Sequence, residues 1–449
     1  MTAAPASRGL GLWSATALVI SHTVGVGIFL TPAELIGALA SPALTFGLWL
    51  TCGAMVLAGA FTFGELASRY PQAGGLYVYL REGWGARVAF LYGWQSLLVM
   101  DPGLTAALAV GASQYVVVVW PAAMGFETWV AVSTIWIVAL LNMAGLTFGA
   151  RVFGLLTALK LCTLAGIISI ALTAGDGSWS HFMPLFAFGA ARGAAPPIAE
   201  AIALGLVGAF FSFGGFWETS RIAGEVRDPR RTLPLALVVG VLCVTVIYVM
   251  TTLAFIYLVP PAAATSASEF ARRAGEALIG PGGPSVLATI VVLSVVASAM
   301  AMVMVAPRLY EAMSRDGLFP AAVAARHPLT GAPVRATAVL ALLATVFVLI
   351  GTFEQIAAFF MCTTLGFVAL AAAAVFVVRR RVPEASPFRA PGYPLTPALF
   401  VLLVLAVVAL VAINRPLQAF AGLALMLLGV PVSRVLSLPR STPAPEGDQ

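Results

Sequence analysis

Residues 21–29 read SHTVGVGIF and interrupt an apolar run that extends from about residue 11 to about residue 37. A second interruption, FFSFGGFWE at residues 210–218, lies within the apolar run 200–224. Glycines within a run long enough to cross a bilayer break the helix, and lipid cannot satisfy the backbone groups that the break frees. Interrupted spans at corresponding positions of two halves are typical of transporters built from inverted repeats. The alternative is that these glycines only allow helices to pack closely.

The composition is that of a membrane protein. Hydrophobic residues make up 61% of the chain and charged residues 9%, with a mean hydropathy of +1.00. Such values are outside the range of soluble globular domains. The sequence therefore predicts an all-α membrane protein with twelve transmembrane helices, at 11–37, 42–66, 88–118, 128–149, 152–174, 200–224, 233–259, 285–312, 334–353, 355–378, 394–413 and 417–437.

The two interrupted spans divide the chain into blocks of five spans each. An odd number of spans per block gives the two halves opposite orientations in the membrane. We expect a first inverted repeat at 9–174, a second at 200–381, and two further helices at 391–437. The polar ends, 1–8 and 438–449, are expected to be disordered.

The positive charges indicate an orientation. With a cytoplasmic N-terminus, 19 arginines, Arg221 among them, fall on the cytoplasmic side and only four on the other side. The positive-inside rule then places both termini in the cytoplasm. The formal net charge of +6 does not indicate a nucleic-acid partner, because the charges lie in short loops rather than on one basic face.

Lys160 is the only lysine in the chain, and it lies within the apolar run 152–174. Nine residues separate it from Arg151, which places it ~13 Å into a hydrocarbon core ~30 Å thick. A lysine side chain reaches only about 6 Å, so it cannot extend to the membrane surface. We therefore expect the ammonium to face a partner or a water-filled cavity.

The two breaks suit a zwitterionic ligand. The N-terminus of a half-helix attracts a carboxylate, and freed carbonyl groups attract a cation. Glycine allows a ligand to approach the backbone closely because it has no Cβ. Together the breaks are suited to the α-carboxylate and α-amino groups of an amino acid.

Several stretches then carry a family resemblance. They resemble the amino acid–polyamine–organocation superfamily of transporters, above all its L-type amino acid transporter and basic amino acid/polyamine antiporter branches. The resemblance covers roughly residues 10–380. Its motifs are GVGIF at 25–29 with Pro32, ELASRYPQAGGLYVY at 65–79, FSFGGF at 211–216, GEVRDP at 224–229, and SRDG at 314–317 with Pro320, His327, Pro328 and Pro333.

The resemblance implies a substrate site at the breaks. It implies that the substrate carboxylate binds the backbone of the first break and that the amine binds carbonyl groups of the second. It also implies that Phe211 is a gate over the substrate. The substrate-binding positions are then Val24, Gly25, Val26, Gly27 and Ile28 in the first break and Phe211, Ser212, Phe213 and Gly214 in the second.

Lys160 falls where sodium-independent members of this superfamily carry a lysine in place of the sodium ion of their relatives. The resemblance implies that its ammonium bridges the fifth span to freed carbonyls of the first. Ser298 in the eighth span gives weak support, because no adjacent hydroxyl pair accompanies it. We expect no sodium requirement.

Three further ionisable residues lie within the spans. Asp101 has three open interpretations: a contact to a cationic substrate side chain, a proton carrier, or a cap for backbone freed by Pro102. Glu218 is either the partner of Arg221 in a structural ion pair or a proton or gating group. His22 is either a hydrogen-bonded core residue or a proton carrier.

The expected function is sodium-independent secondary transport of amino acids by alternating access, as uniport, exchange or proton-coupled transport. Neutral amino acids are favoured; a cationic amino acid or polyamine exchanger, or a non-transporting amino-acid sensor, is the alternative. The sequence has no Walker-type loop and no metal-ligand spacing, so we expect no ATP-driven transport, enzyme activity, cofactor or metal. L-type members of the resembled superfamily that join an ancillary glycoprotein carry a cysteine in the loop between the third and fourth spans, whereas residues 120–128 contain none; the resemblance therefore implies no disulfide-linked ancillary subunit. The expected location is a bacterial cytoplasmic (inner) membrane.

Overall fold

The structure is a computed structural model that describes residues 9–25, 27–186, 197–261, 267–384 and 386–435. Within these ranges the chain is helical, and its only β-pairing is one bridge between Leu10 and Val226. The ends predicted to be disordered, 1–8 and 438–449, lie outside the described residues, as does Val26.

Seventeen α-helices make up the described part of the chain. In chain order they are α1 Leu12–Thr23, α2 Gly27–Leu39, α3 Pro42–Arg69, α4 Leu76–Trp84, α5 Ala86–Gln95, α6 Asp101–Val119, α7 Glu127–Met143, α8 Leu146–Thr173, α9 Ile198–Phe213, α10 Pro229–Leu258, α11 Ala267–Ile279, α12 Gly283–Arg315, α13 Ala321–Ala324, α14 Val334–Ile350, α15 Phe353–Arg381, α16 Leu395–Asn414 and α17 Pro416–Val435.

Many of these helices are long and apolar enough to cross a membrane. Within the described residues nine helical stretches meet that condition, and α1 and α2 taken together make a tenth. The helices α7 and α14 are apolar but shorter, at 17 residues each. The protein is therefore an all-helical, multi-pass membrane protein.

Both predicted interruptions are present as breaks in the helices. The first separates α1 from α2, whose axes differ by 57°. The second lies at Gly214 and Gly215, after which the chain continues as a 3-10 helix over Phe216–Glu225. Gly215 has φ +96°, and a Cβ there would lie 2.9 Å from the carbonyl oxygen of His22. Glycine is thus required at this position by backbone conformation and by contact with α1.

Two local features differ from the sequence prediction. The fourth and fifth spans were separated at residues 150–151, but the helices part at Gly145, which has φ +152°, so residues 146–149 belong to α8. The third span contains a π-helical turn over Ser96–Met100, just before Pro102. Proline has no amide hydrogen for the preceding turn, which accounts for a local change in winding. Hydropathy alone detects neither feature, because it reports how apolar a stretch is and not how its backbone is wound.

The packing brings the two breaks together at the centre of the molecule. The helix α1 packs against α10 and α12, and the 3-10 segment Phe216–Glu225 packs against all three of these helices. The other two half-helices, α2 and α9, pack against each other. The broken segments are therefore surrounded by long, continuous helices that hold them in place.

Candidate substrate site at the two broken helices

A cavity lies between the two breaks. The breaks contribute Gly25, Gly27, Ser212 and Gly214 to its wall. Most of the remaining wall is apolar, and includes Met100, Leu104, Leu108, Trp217, Met302 and Phe360. This combination of exposed backbone and apolar side chains is typical of small-molecule sites.

A second, larger cavity adjoins the first. Its wall includes Glu34 and Arg415. Phe211 and Met361 line both cavities and therefore lie between them. The ring of Phe211 is also close to that of Phe360, at 6.4 Å between centroids. Phe211 thus has the position expected of a gate, and the gate role stays a prediction.

Gly25 and Gly27 are needed for different reasons. A Cβ on Gly25 would meet Leu108 at 3.6 Å and Ser298 at 3.8 Å, which are ordinary contacts. A Cβ on Gly27 would come within 2.6 Å of the Ser212 hydroxyl oxygen and 3.0 Å of its Cα. Gly27 is therefore required by the packing of α2 on α9, whereas packing leaves room for a side chain at Gly25. The expectation that a ligand approaches the backbone at Gly27 stays a prediction beside this packing reason.

The N-terminus of α2 supplies amide donors beside the cavity. The first amides of a helix have no acceptor within it, and they carry the positive end of the helix dipole. Gly27 is the first residue of α2 and lines the cavity. This arrangement suits a carboxylate.

Carbonyl groups of the second break already accept hydrogen bonds. The hydroxyl of Tyr248 on α10 donates to the Ser212 carbonyl at 2.5 Å and approaches the Thr23 carbonyl at 2.9 Å. The amide of Gly214 donates to the Phe211 carbonyl at 2.9 Å. A carbonyl oxygen has two lone pairs, so the bonds described here leave acceptor capacity on the Ser212 and Phe211 carbonyls, whereas the Thr23 carbonyl also accepts from the Gly25 amide at 2.9 Å. Tyr248 thus links the two breaks, a role that the sequence reasoning missed; a tyrosine within an apolar span, which needs a partner for its hydroxyl, was the available signal.

Lys160 connects three helices through its ammonium. Its Nζ donates to the Ser21 carbonyl at 3.3 Å, to the Val24 carbonyl at 2.5 Å and to the Ser298 hydroxyl at 2.7 Å. The residue is only 1% exposed. An ammonium has three donors, so these contacts use all of them. The side chain therefore joins α8 to the broken end of α1 and to α12.

A second buried cation, Arg221, lies in the 3-10 segment. Its Nη1 donates to both oxygens of Asp101, at 3.0 and 3.2 Å. Its Nη2 donates to Tyr92 at 3.0 Å and to Ser96 at 2.9 Å. Asp101 also accepts from Tyr310 at 2.7 Å and from Ser96 at 3.2 Å. Arg221 is 1% exposed and Asp101 0%, so this is a fully buried ion pair with many hydrogen bonds.

These contacts correct one expectation: Arg221 was counted among the arginines of cytoplasmic loops, but it is buried between helices. Asp101 was given three open interpretations: a contact to a cationic substrate, a proton carrier or a backbone cap. The hydrogen bonds described for its carboxylate come from the side chains of Ser96, Arg221 and Tyr310. A sequence count assigns an arginine near the end of a span to the nearest loop, because the count contains no information on which helices pack against that end.

Glu218 lies on the other side of the guanidinium. Its Oε2 is 2.6 Å from Arg221 Nε, so the ion pair considered in the sequence analysis is present. Neither Glu218 oxygen forms a hydrogen bond with the described residues, however, and the residue is 1% exposed and lines the central cavity. His22 also lines the cavity, and its Nδ1 is 2.8 Å from the Leu18 carbonyl within α1.

The remaining candidate residues lie beside the cavity rather than on its described wall. Val24 and Ile28 are fully buried in the apolar core. Phe213 packs with Trp49 and Tyr248, at ring-centroid distances of 6.0 and 5.0 Å. Contributions from these three residues to a ligand site would have to come from their backbone.

Removing the buried cation is expected to destabilise the protein strongly. In Arg221→Met, Asp101 is left buried without its partner, which costs about 3–5 kcal/mol. The exposed pair Arg272–Glu276 contributes at most about 1 kcal/mol, so Arg272→Ala is the control. We expect a large drop in the apparent melting temperature in detergent for Arg221→Met and little change for Arg272→Ala. The double variant Arg221→Met/Asp101→Asn should show a smaller drop in melting temperature than the sum of the drops of the two single variants. Equal melting temperatures for Arg221→Met and the wild type would show that the ion pair contributes nothing to stability.

The fold and this cavity define a class of protein: a multi-pass helical membrane protein with a small-molecule cavity between two broken helices. The family model for amino acid permeases matches residues 10–430, almost the whole described chain. The chain therefore belongs to the amino acid permease family, as the resemblance noted in the sequence implied.

Curated relatives support the same conclusion at low identity. The serine/threonine exchanger SteT of Bacillus subtilis is 26% identical over 87% of this chain and 88% of its own length. The human cystine/glutamate transporter is 26% identical over 94% of this chain and 84% of its own length. The human large neutral amino acids transporter small subunit 2 is 27% identical over 95% of this chain and 79% of its own length. The protein is an amino acid transporter.

Proposed function

We propose that the protein is a sodium-independent secondary transporter of neutral amino acids. The single observation that carries the proposal is the contact of the Lys160 ammonium with the Ser21 and Val24 carbonyls and with Ser298. The Lys160 amine at the broken end of α1 contacts the carbonyl and hydroxyl oxygens that a metal cation bound there would need as ligands. The broken helix is then held in shape without sodium.

The geometry supports a zwitterion in the central cavity. We propose that the α-carboxylate binds the amides at the start of α2, beside Gly25 and Gly27. The α-amino group then binds carbonyls of the second break around Ser212 and Gly214, which retain acceptor capacity. Phe211 acts as the gate between this cavity and the adjoining one, since it lines both.

Two observations favour an uncharged substrate side chain. The cavity wall is mostly apolar, and Asp101 shares its hydrogen bonds with Arg221 instead of facing the cavity. Two of the relatives are named for serine/threonine and for large neutral amino acids. A cationic amino acid or polyamine exchanger remains the rival, and the transport assay below distinguishes them.

The proposed membrane arrangement is that of the sequence analysis. It has twelve transmembrane helices, with inverted repeats at 9–174 and 200–381, two more helices at 391–437, and both termini in the cytoplasm of a bacterial cell. We also propose that the protein acts without a disulfide-linked ancillary subunit. One relative is named a small subunit, but the loop 120–128 of this chain contains no cysteine.

The structure supports entry of the substrate from the side opposite the proposed cytoplasmic one. On the cytoplasmic side Arg81 pairs with Asp316 at 2.6 Å and Arg308 with Glu225 at 3.1 Å. These pairs join helices that would separate if the cavity opened there. The larger cavity, beside Arg415, leads towards the opposite side.

Uptake into proteoliposomes tests the proposal. The purified protein is reconstituted and given labelled leucine, serine, methionine, arginine, glutamate and putrescine, with either sodium or choline as the external cation. We expect exchange of one or more neutral amino acids at the same rate in both salts. Arginine or putrescine as the best substrate would favour the rival, a need for sodium would refute the role given to Lys160, and binding without uptake would indicate a sensor.

A further inference from the structure

Glu218 is a buried charge that neither the packing nor the proposed substrate contacts explain. It is 1% exposed, it lines the central cavity, and neither of its oxygens forms a hydrogen bond within the part of the chain that the structure describes. A buried ionised carboxylate without hydrogen bonds is strongly unfavourable. A side chain that serves only to hold helices together would be expected to have such bonds.

The neighbouring ion pair does not solve this problem. Arg221 directs both terminal nitrogens to Asp101, Tyr92 and Ser96, in hydrogen bonds of 2.9–3.2 Å. Only its Nε is near Glu218, in an ion pair with 2.6 Å between Nε and Oε2. The cluster thus contains two carboxylates and one guanidinium, and the guanidinium makes its hydrogen bonds to a carboxylate with Asp101.

The surroundings of Glu218 contain no further cation in direct contact among the described residues. The 3-10 segment that carries Glu218 packs against α1, α3, α4, α10 and α12. The ionisable groups of this region, from the helices around the segment, are His22 on α1, Glu65 on α3, Tyr79 on α4, Tyr92 on α5, Asp101 on α6, Lys160 on α8, Tyr248 on α10 and Tyr310 on α12. Lys160 uses its three donors elsewhere, Glu65 pairs with Arg69 and Arg379, and Tyr310 donates to Asp101.

We propose that Glu218 is the proton-binding site that couples amino acid movement to proton movement. The coupling to amino acid movement rests on the proposed function. The binding of a proton by Glu218 does not depend on it. Its carboxylate takes a proton from water that enters the cavity from one side, forming an O–H bond. When the cavity opens to the other side, that bond breaks and the proton leaves with water there.

Charge and position make this site suitable for coupling. With a proton on Glu218 the cluster of Asp101, Arg221 and Glu218 is neutral, and without it the cluster has one net negative charge. Burial of a net charge favours the neutral form whenever the cavity is closed to water. The carboxyl also lies one turn beyond the break at Gly214, on the wall of the same cavity as the substrate. Binding of the proton and binding of the amino acid therefore both influence closure of the central cavity.

The proton site is tested directly by infrared spectroscopy of the purified protein. A pH series from about pH 5 to about pH 10 is recorded in detergent, and the carbonyl stretch of protonated carboxylic acids is followed. We expect a buried-acid band that diminishes as the pH rises, that is missing in Glu218→Gln and that is shifted in Glu218→Asp. The control Glu225→Gln, on the same segment but paired with Arg308, should keep the band. A wild type without the band, or a Glu218→Gln protein with it, overturns the proposal.

Coupling is tested by uptake of labelled L-leucine into proteoliposomes with an acidic exterior. For one proton per substrate, one unit of pH gradient sustains up to about tenfold accumulation, equivalent to ~1.4 kcal/mol. We expect such accumulation in the wild type and in Glu127→Gln, whose carboxyl is outside the core, and none in Glu218→Gln. Accumulation that persists in Glu218→Gln overturns the coupling role.

The outcomes separate this proposal from the proposed function. If no amino acid is taken up by the wild type, the proposed function fails, while the infrared series still decides whether Glu218 binds the proton. If Glu218→Gln loses only L-arginine uptake and keeps proton-driven L-leucine uptake, Glu218 contacts a substrate side chain, and the proposal is wrong.

Discussion

Replacement of Lys160 by alanine is expected to reduce amino acid exchange at least about 100-fold. The change removes three hydrogen bonds. The single hydroxyl hydrogen of Ser298, whose oxygen lies 3.2 Å from the Ser21 carbonyl and 3.0 Å from the Val24 carbonyl, can then satisfy only one of these two buried acceptors. Each unsatisfied group costs about 1–3 kcal/mol, and together they favour other arrangements of the break. The initial rate of L-leucine exchange in proteoliposomes measures the effect, normalised to the amount of protein that is monodisperse in detergent.

Two further variants identify which property of Lys160 matters. Lys160→Met keeps most of the side-chain volume but no charge, and we expect it to be as inactive as Lys160→Ala. Lys160→Arg keeps the charge, but a planar guanidinium is too large for a space shaped to an ammonium, so we expect little recovery. A Met variant with normal exchange would show that the side chain only fills space, and a normal Ala variant would remove the cation role altogether.

The features that the sequence predicted are those that a local pattern determines. Gly214 and Gly215 are visible as a break because two adjacent glycines cannot continue a helix of otherwise bulky apolar residues. Lys160 is visible as unusual because its depth follows from helix rise alone. The structure places its ammonium at the broken end of α1, a position implied by the family resemblance and consistent with the length of the side chain.

The features that the sequence missed depend on which helices meet. Arg221 looks like an arginine at the end of a span, and only the packing of the 3-10 segment against the π-helical turn at Ser96–Met100 places it opposite Asp101. Tyr248 looks like one more aromatic residue in α10, and its role follows from the proximity of the Thr23 and Ser212 carbonyls. Arg221 and Asp101 are 120 positions apart in the chain, and Tyr248 and Thr23 are 225 positions apart. No periodicity within one helix encodes contacts over such separations.

The different surroundings of Gly25 and Gly27 allow the role of the first break to be tested without disturbing the fold. A Cβ at Gly25 meets only ordinary contacts, at 3.6 and 3.8 Å, and Gly25 lines the central cavity. We expect Gly25→Val to insert and fold, but to bind its amino acid at least about 30-fold more weakly, since loss of two charge-assisted hydrogen bonds costs more than ~2 kcal/mol. Binding is measured by competition for the labelled amino acid that the wild type binds in detergent.

Gly27→Val and Gly47→Val complete the comparison. At Gly27 the new side chain collides with Ser212, so we expect a lower melting temperature as well as lost binding. Gly47 lies on the exposed face of α3, and a Cβ there would have no described atom within 4 Å, so its valine variant should bind like the wild type. If Gly25→Val binds with normal affinity, the carboxylate does not approach the backbone there. Packing against Ser212 on α9 would then explain Gly27, whereas Gly25 would be explained neither by packing nor by a carboxylate contact.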